Sequence, residues 1–206
     1  MNNKFLSYLS IPLTLSGYNL QAQQTDKSNG SEKTNGKKMN IVFILSDDHR
    51  YDYMGFVGKI PWLQTPSMDR MAHEGAWMKN AFVTTSLSSP SRASILTGMY
   101  SHSHKVVDNT APLPKGLTFF PEYLQKTGYK TAFFGKWHMG NDSGDPQPGF
   151  DHWEAFKGQG EYYNPRLNTN GQWIQYADSV YVTDLLTHHA IDFIDQQTKN
   201  HQPFMV

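Results

Sequence analysis

Residues 40–45 form an almost unbroken apolar run, Asn-Ile-Val-Phe-Ile-Leu, that gives way at once to Ser46-Asp47-Asp48-His49-Arg50. A continuous β-branched and aromatic run of this length predicts a buried central strand of a parallel sheet. Thr65-Pro66 opens a short helix over 67–73, stopped by Gly75. Residues 77–84 read as a strand leading into Ser88. A helix follows Pro90, with Gly98 as its stop. Residues 117–126 predict another helix, ended by Gly128, and 129–134 a strand from whose end Gly135-Lys136-Trp137-His138-Met139-Gly140 departs. Residues 141–175 are rich in Gly, Pro, Asn and aromatics with little periodicity, which predicts surface loops with short pieces of structure. Over 180–197, Val182, Leu185, Leu186, His189, Ile191, Phe193 and Ile194 recur at roughly helical spacing. Residues 203–206 begin a further buried strand.

Strands alternating with helices indicate an α/β fold with a mostly parallel central sheet flanked by helices. In such sheets ligands bind beyond the carboxyl ends of the strands. Three polar clusters fall at such ends: Asp47-Asp48, residues 88–92, and residues 136–138.

Each cluster carries chemistry. Pro90 suits a first helical position and Ser89 the N-cap before it. Ser88 then sits just off a helix N-terminus, where free N–H groups and the dipole favour an anion. Arg92 lies one turn in and can reach the same point as a bidentate donor. A capped helix after an ordinary loop is the plainer alternative. Asp47 and Asp48 converge on one cation if they lie in a turn, and two carboxylates that close need a metal or a base. Oxygen ligation favours a hard cation such as calcium or magnesium, with an acidic turn as the alternative. Lys136 and His138 flank Trp137, and period-two geometry puts both on one side. A cation and an imidazole together can hold an oxyanion and shuttle a proton. A surface lysine and a loop histidine are the alternative. His102 and His104 lie near Asp108-Asn109 and suit metal ligation, substrate contact or plain loop roles. His188 and His189 fall within a helix and read as surface or core histidines.

Composition narrows the class. The 206 residues contain no cysteine, which excludes disulfides, thiolate metal sites and a cysteine nucleophile. A formal net charge of +0 argues against a broad nucleic-acid or anionic-membrane surface. With 16 glycines, 11 prolines and 14% aromatics, the chain resembles a loop-rich globular enzyme rather than a helical bundle. Residues 1–22 read as a signal peptide: Lys4 is basic, the following stretch is moderately apolar, and Leu20-Gln21-Ala22 suits cleavage. That stretch is too short and polar for a stable membrane span. A periplasmic or secreted location follows. Residues 23–38 read as a flexible linker, so the folded part covers 39–206.

Taken together, these motifs resemble the formylglycine-dependent sulfatases of the alkaline-phosphatase-like superfamily. That family's signature appears as Ser88-Ser89-Pro90-Ser91-Arg92 followed by Leu96-Thr97-Gly98. A second signature appears as Gly135-Lys136-Trp137-His138, and the opening strand ends in Asp47-Asp48. The resemblance implies an alkaline-phosphatase-like fold and a sulfuric ester hydrolase. It implies that a maturing enzyme oxidises Ser88 to formylglycine, whose hydrate attacks sulfur. Calcium would be held by Asp47, Asp48 and the residue at 88. Arg92 would orient that residue, Lys136 would grip a sulfate oxygen, and His138 would act in proton transfer. The substrate would be a sulfated glycan or small sulfate ester, first of all N-acetylglucosamine 6-sulfate, with His104 and Asn109 as sugar contacts. The family also uses a later His, an Asp-Asn pair and a second Lys, which this chain lacks. The resemblance therefore implies a truncated catalytic domain, with weak calcium binding, little activity alone and an exposed sheet edge. A phosphoesterase or phosphonate hydrolase on the same fold, and a non-catalytic relic, are the competing readings.

Overall fold

The computed structural model describes residues 38–140 and 143–206. The leader expected over 1–22 and nearly all of the linker expected over 23–38 lie outside the described residues. The helices are α1 (Pro66–Glu74), α2 (Ser88–Thr97), α3 (Ser101–His104), α4 (Phe120–Lys126) and α5 (Val182–Lys199). The strands are β1 (Lys130–Lys136), β2 (His152–Phe156), β3 (Arg166–Thr169), β4 (Gln172–Gln175) and β5 (Phe204–Met205). No described helix is long and apolar enough to cross a membrane.

The α/β class is as expected, and the sheet is mixed, in the order β4-β3-β2-β1-β5. β1 pairs in parallel with β2 and with β5. β2–β3 and β3–β4 are antiparallel. The Gly- and Asn-rich stretch 141–175 thus holds three strands. They are only four or five residues long, so their alternation was lost among the turn residues.

β1 is covered on both sides. One core joins Trp137, Trp153, Phe119, Val106 and Ala93, with Phe133 and Phe150 packed against it. Trp137 is 2% exposed, and its ring stands edge-on to Phe119 at 5.4 Å and Phe133 at 5.6 Å. Truncating a tryptophan so packed costs about 3–5 kcal/mol. The second core places Ala132, Phe193 and Phe204 between the sheet and α5. α4 begins where the Glu122 carboxylate accepts the Phe119 N–H at 2.8 Å, leaving one fewer orphan donor.

Two expectations are corrected. Residues 40–45 do run alongside β5: Ile41 bridges Met205 in parallel, and the Phe43 N–H donates to the Val206 carbonyl at 2.7 Å. Yet residues 42–45 are exposed rather than buried. Among the described residues, only β5 and the adjoining Val206 offer this run backbone partners, on one edge, and its apolar side chains stay exposed. Residues 77–84 form no strand. They have no ladder partner among the described residues, and Trp77 instead packs edge-on to Phe56 at 5.0 Å.

Candidate active site

The three polar clusters meet at the carboxyl end of β1. β1 extends two residues further than its apolar run, so Lys136 is the last strand residue. Its ammonium donates to the Asp47 carboxylate and, at 2.7 Å, to Gln159 Oε1. The Arg92 guanidinium donates to the Lys136 carbonyl and lies 3.6 Å from the other Asp47 oxygen. The lysine and arginine side chains are each only 10% exposed, against 38% for Asp47. One carboxylate at the mouth therefore serves two nearly buried cations. Burial pushes the Asp47 carboxyl up, but the Lys136 hydrogen bond and the Lys136, Arg92 and His138 charges outweigh it. They hold the group below its usual range, and Asp47 is ionised at neutral pH.

Ser88 begins α2. The helix starts two residues earlier than expected, with extended Leu87 at the cap position, Ser88 first in the helix and Pro90 third. Ser89 is not the cap. Its hydroxyl donates instead to the His138 carbonyl, tying α2 to the segment after β1. The Ser89 N–H is satisfied by Asn109 Oδ1 at 3.0 Å, twenty residues downstream. Sequence reasoning missed this capping role because local capping rules look for a nearby donor or acceptor. At the other end Gly98 adopts φ 68° and closes the helix, a left-handed conformation that glycine takes without side-chain strain. Ser88 is half-buried, one turn from Arg92.

His138 follows Trp137 with φ 51°, so the chain turns left-handed immediately beyond the strand. Period-two geometry therefore holds as far as Lys136 and fails at His138. The residue is 9% exposed, and its imidazole is close enough to act on Asp47. Asp48 has φ 52° and lies on the exposed turn after Asp47.

The two expected sugar contacts lie apart in character. His104 is fully buried: Nε2 pairs with Ser94 Oγ at 3.0 Å, and Nδ1 accepts the Val106 N–H at 3.1 Å. Both ring nitrogens are engaged within the protein, so in this structure His104 braces α2 against α3 and presents no edge to a ligand. Desolvation holds its imidazole below the usual histidine range and therefore neutral. Asn109 is exposed beside the start of α2. His102 stacks on Tyr100 at 5.8 Å. His189 packs against the sheet, with Nδ1 2.7 Å from the buried Glu154 carboxylate. It is a helix histidine bound to a strand, as a core reading expects.

A calcium ion takes six to eight oxygens. The described residues contain no group of three or more acidic or histidine side chains arranged to hold a metal. Asp47 and Asp48 provide two neighbouring carboxylates, and Asp47 already binds two cations. As they stand, they do not amount to a calcium site.

Comparison with known proteins identifies the family. The family described as Sulfatase matches residues 39–206. An N-acetylglucosamine-6-O-sulfatase from Bacteroides thetaiotaomicron is 41% identical over 176 residues, covering 84% of this chain and 30% of the relative. The human N-acetylglucosamine-6-sulfatase is 31% identical, covering 82% of this chain and 33% of its own. A solved structure of a protein in complex with its substrate D-glucosamine-2-N,6-O-disulfate superposes with a TM-score of 0.73 at 41% identity. It covers 82% of this chain and 33% of that one. The chain thus spans about a third of the length of the relatives it matches.

Proposed function

Because the chain belongs to the sulfatase family, we propose that it bears the nucleophile of a sulfuric ester hydrolase for sulfated carbohydrates. The relatives named for N-acetylglucosamine 6-sulfate make that sugar ester the first candidate substrate. What carries the proposal is the meeting of Arg92, one turn along the helix that Ser88 begins, with Lys136 at the end of β1 and Asp47 beside it. An anionic ester arriving there meets two cations held in place by the fold, and fixed positive groups stabilise developing negative charge.

The family resemblance suggests the roles. Ser88 is the residue oxidised by a maturing enzyme to formylglycine, whose hydrate supplies the attacking oxygen. Arg92, one helical turn away, orients it. Lys136 exchanges one of its present acceptors for a sulfate oxygen. His138, beside the Lys136 carbonyl that Arg92 binds, moves the proton at residue 88. Asp47 and Asp48 contribute carboxylates toward calcium, with residue 88 as a further ligand. Two carboxylates do not complete a calcium shell. The leader-like residues 1–22 support export to the periplasm or beyond, where sulfated glycans are met.

Mass spectrometry of the peptide containing residue 88, from protein made alongside an anaerobic-type maturing enzyme, tests this. A peptide lighter by two hydrogens supports it. An unmodified Ser88 overturns the formylglycine route and favours the phosphoesterase alternative.

A further inference from the structure

Beside the candidate site lies a second hollow, of about 630 Å³, within the size range of small-ligand pockets. The segments before and after β2 and the β3–β4 hairpin form it. Its walls include Asp145, Lys157, Gln159, Glu161, Arg166 and Trp173. Gln159 belongs to both places, because its side-chain oxygen accepts the Lys136 ammonium. The hollow therefore opens directly next to the group proposed to grip sulfate.

Its chemistry differs from that of its neighbour. Lys157 and Arg166 balance Asp145 and Glu161, so the lining carries no excess charge. An anion gains little there. What the lining offers is planar hydrogen-bonding groups (carboxylate, amide and guanidinium) around an indole. Two of them are pre-set. The Arg166 guanidinium lies 5.1 Å from the Trp173 ring centroid, a contact across the β3–β4 ladder. The buried Asn168 amide donates to Asp145 Oδ1 at 3.3 Å. Trp173 keeps about a third of its surface open. Convergent polar groups beside an aromatic face suit a ligand with hydroxyls around its rim and C–H groups on its faces.

We propose that this hollow is a subsite for an uncharged sugar ring linked to the sulfated one. The proposal rests on the sulfatase reading above for the identity of the sulfated ring. It makes the preferred ligand an oligosaccharide, held by its sulfate at Lys136 and by its neighbouring hexose at Trp173.

Saturation-transfer NMR on the full 206-residue chain tests it. The probes are N-acetylglucosamine 6-sulfate and two disaccharides that join it to a neutral galactose on either side. Signal on both rings of at least one disaccharide is expected. Trp173→Ala should weaken the galactose signal at least threefold while sparing the sulfated ring. β4 is exposed along its length, so this substitution leaves the core alone, and Arg166→Ala gives an independent second reading. Signal on the sulfated ring without any on galactose overturns the subsite and leaves the sulfatase reading standing. A galactose signal unchanged in both variants also overturns it. Silence from both rings overturns the subsite together with the reading beneath it.

Discussion

Replacing Asp47 by Asn removes the one charge shared by Lys136 and Arg92 without changing side-chain size. Both cations are 90% buried at their side chains, so they would be left largely desolvated and without that partner. Breaking a fully buried pair costs about 3–5 kcal/mol, whereas exposed pairs contribute about 0.2–1 kcal/mol. Asp47 is itself 38% exposed, so solvent screens part of the interaction, and a cost of about 2 kcal/mol is expected. For a domain of this size that lowers Tm by about 4–8 °C. Thermal unfolding of the parent, D47N, K136M and the double variant would give the coupling between the pair, expected at about 1–2 kcal/mol. The pH dependence has a definite sign. The folded-state carboxyl lies below its ordinary 3.8, so the stabilisation is fully present above that pH. It is lost as pH falls through the lower folded value, and D47N should lose that acid-side slope. A Tm for D47N equal to or above the parent's, or zero coupling to Lys136, would refute the clamp. In that case Asp47 and Asp48 are simply two repelling carboxylates.

Two further outcomes follow from other parts of the site. Asn109→Ala should lower stability by about 1 kcal/mol through loss of the Ser89 N–H acceptor, while Asn109→Asp keeps the acceptor and most of the stability; equal losses in thermal melts of both variants would sink the capping role. Desolvation depresses the buried imidazole of His104 and the half-buried one of His152 below their ordinary 6.5, so the unfolded chain takes up their protons first. Stability should therefore be full above that pH and fall as pH drops through it, and His104→Gln should fall less steeply in melts between about pH 7 and 5; identical slopes would contradict it.

Much of the site was legible because local rules govern it. The Pro90-to-Gly98 helix, the strand before Lys136 and the acidic doublet after an apolar run are each short-range patterns. Their convergence followed from the rule that α/β ligands bind beyond strand ends. What escaped depended on distant partners. Asn109 caps a helix that begins 21 residues earlier, and nothing in its neighbourhood announces that. His104 sits in a polar Ser-His-Ser-His stretch that reads as a loop, yet its ring is sealed between Ser94 and Val106. β2, β3 and β4 exist because they pair with β1 and with one another, not because segments of four or five residues have strong preferences of their own. Conversely, the 40–45 run has every local mark of a buried strand. Its exposure reflects only what stands beside it.

The indole of Trp137 occupies the aromatic core while the residues on either side of it serve the mouth. On the proposed reading, Gly-Lys-Trp-His is half chemistry and half masonry. A descendant that abandoned catalysis would be free to lose the lysine and histidine, but removing the tryptophan would undermine the wall behind them. Surveys of genomes for working copies should therefore score the two polar letters and disregard the aromatic one, which survives in ruins as readily as in functioning buildings.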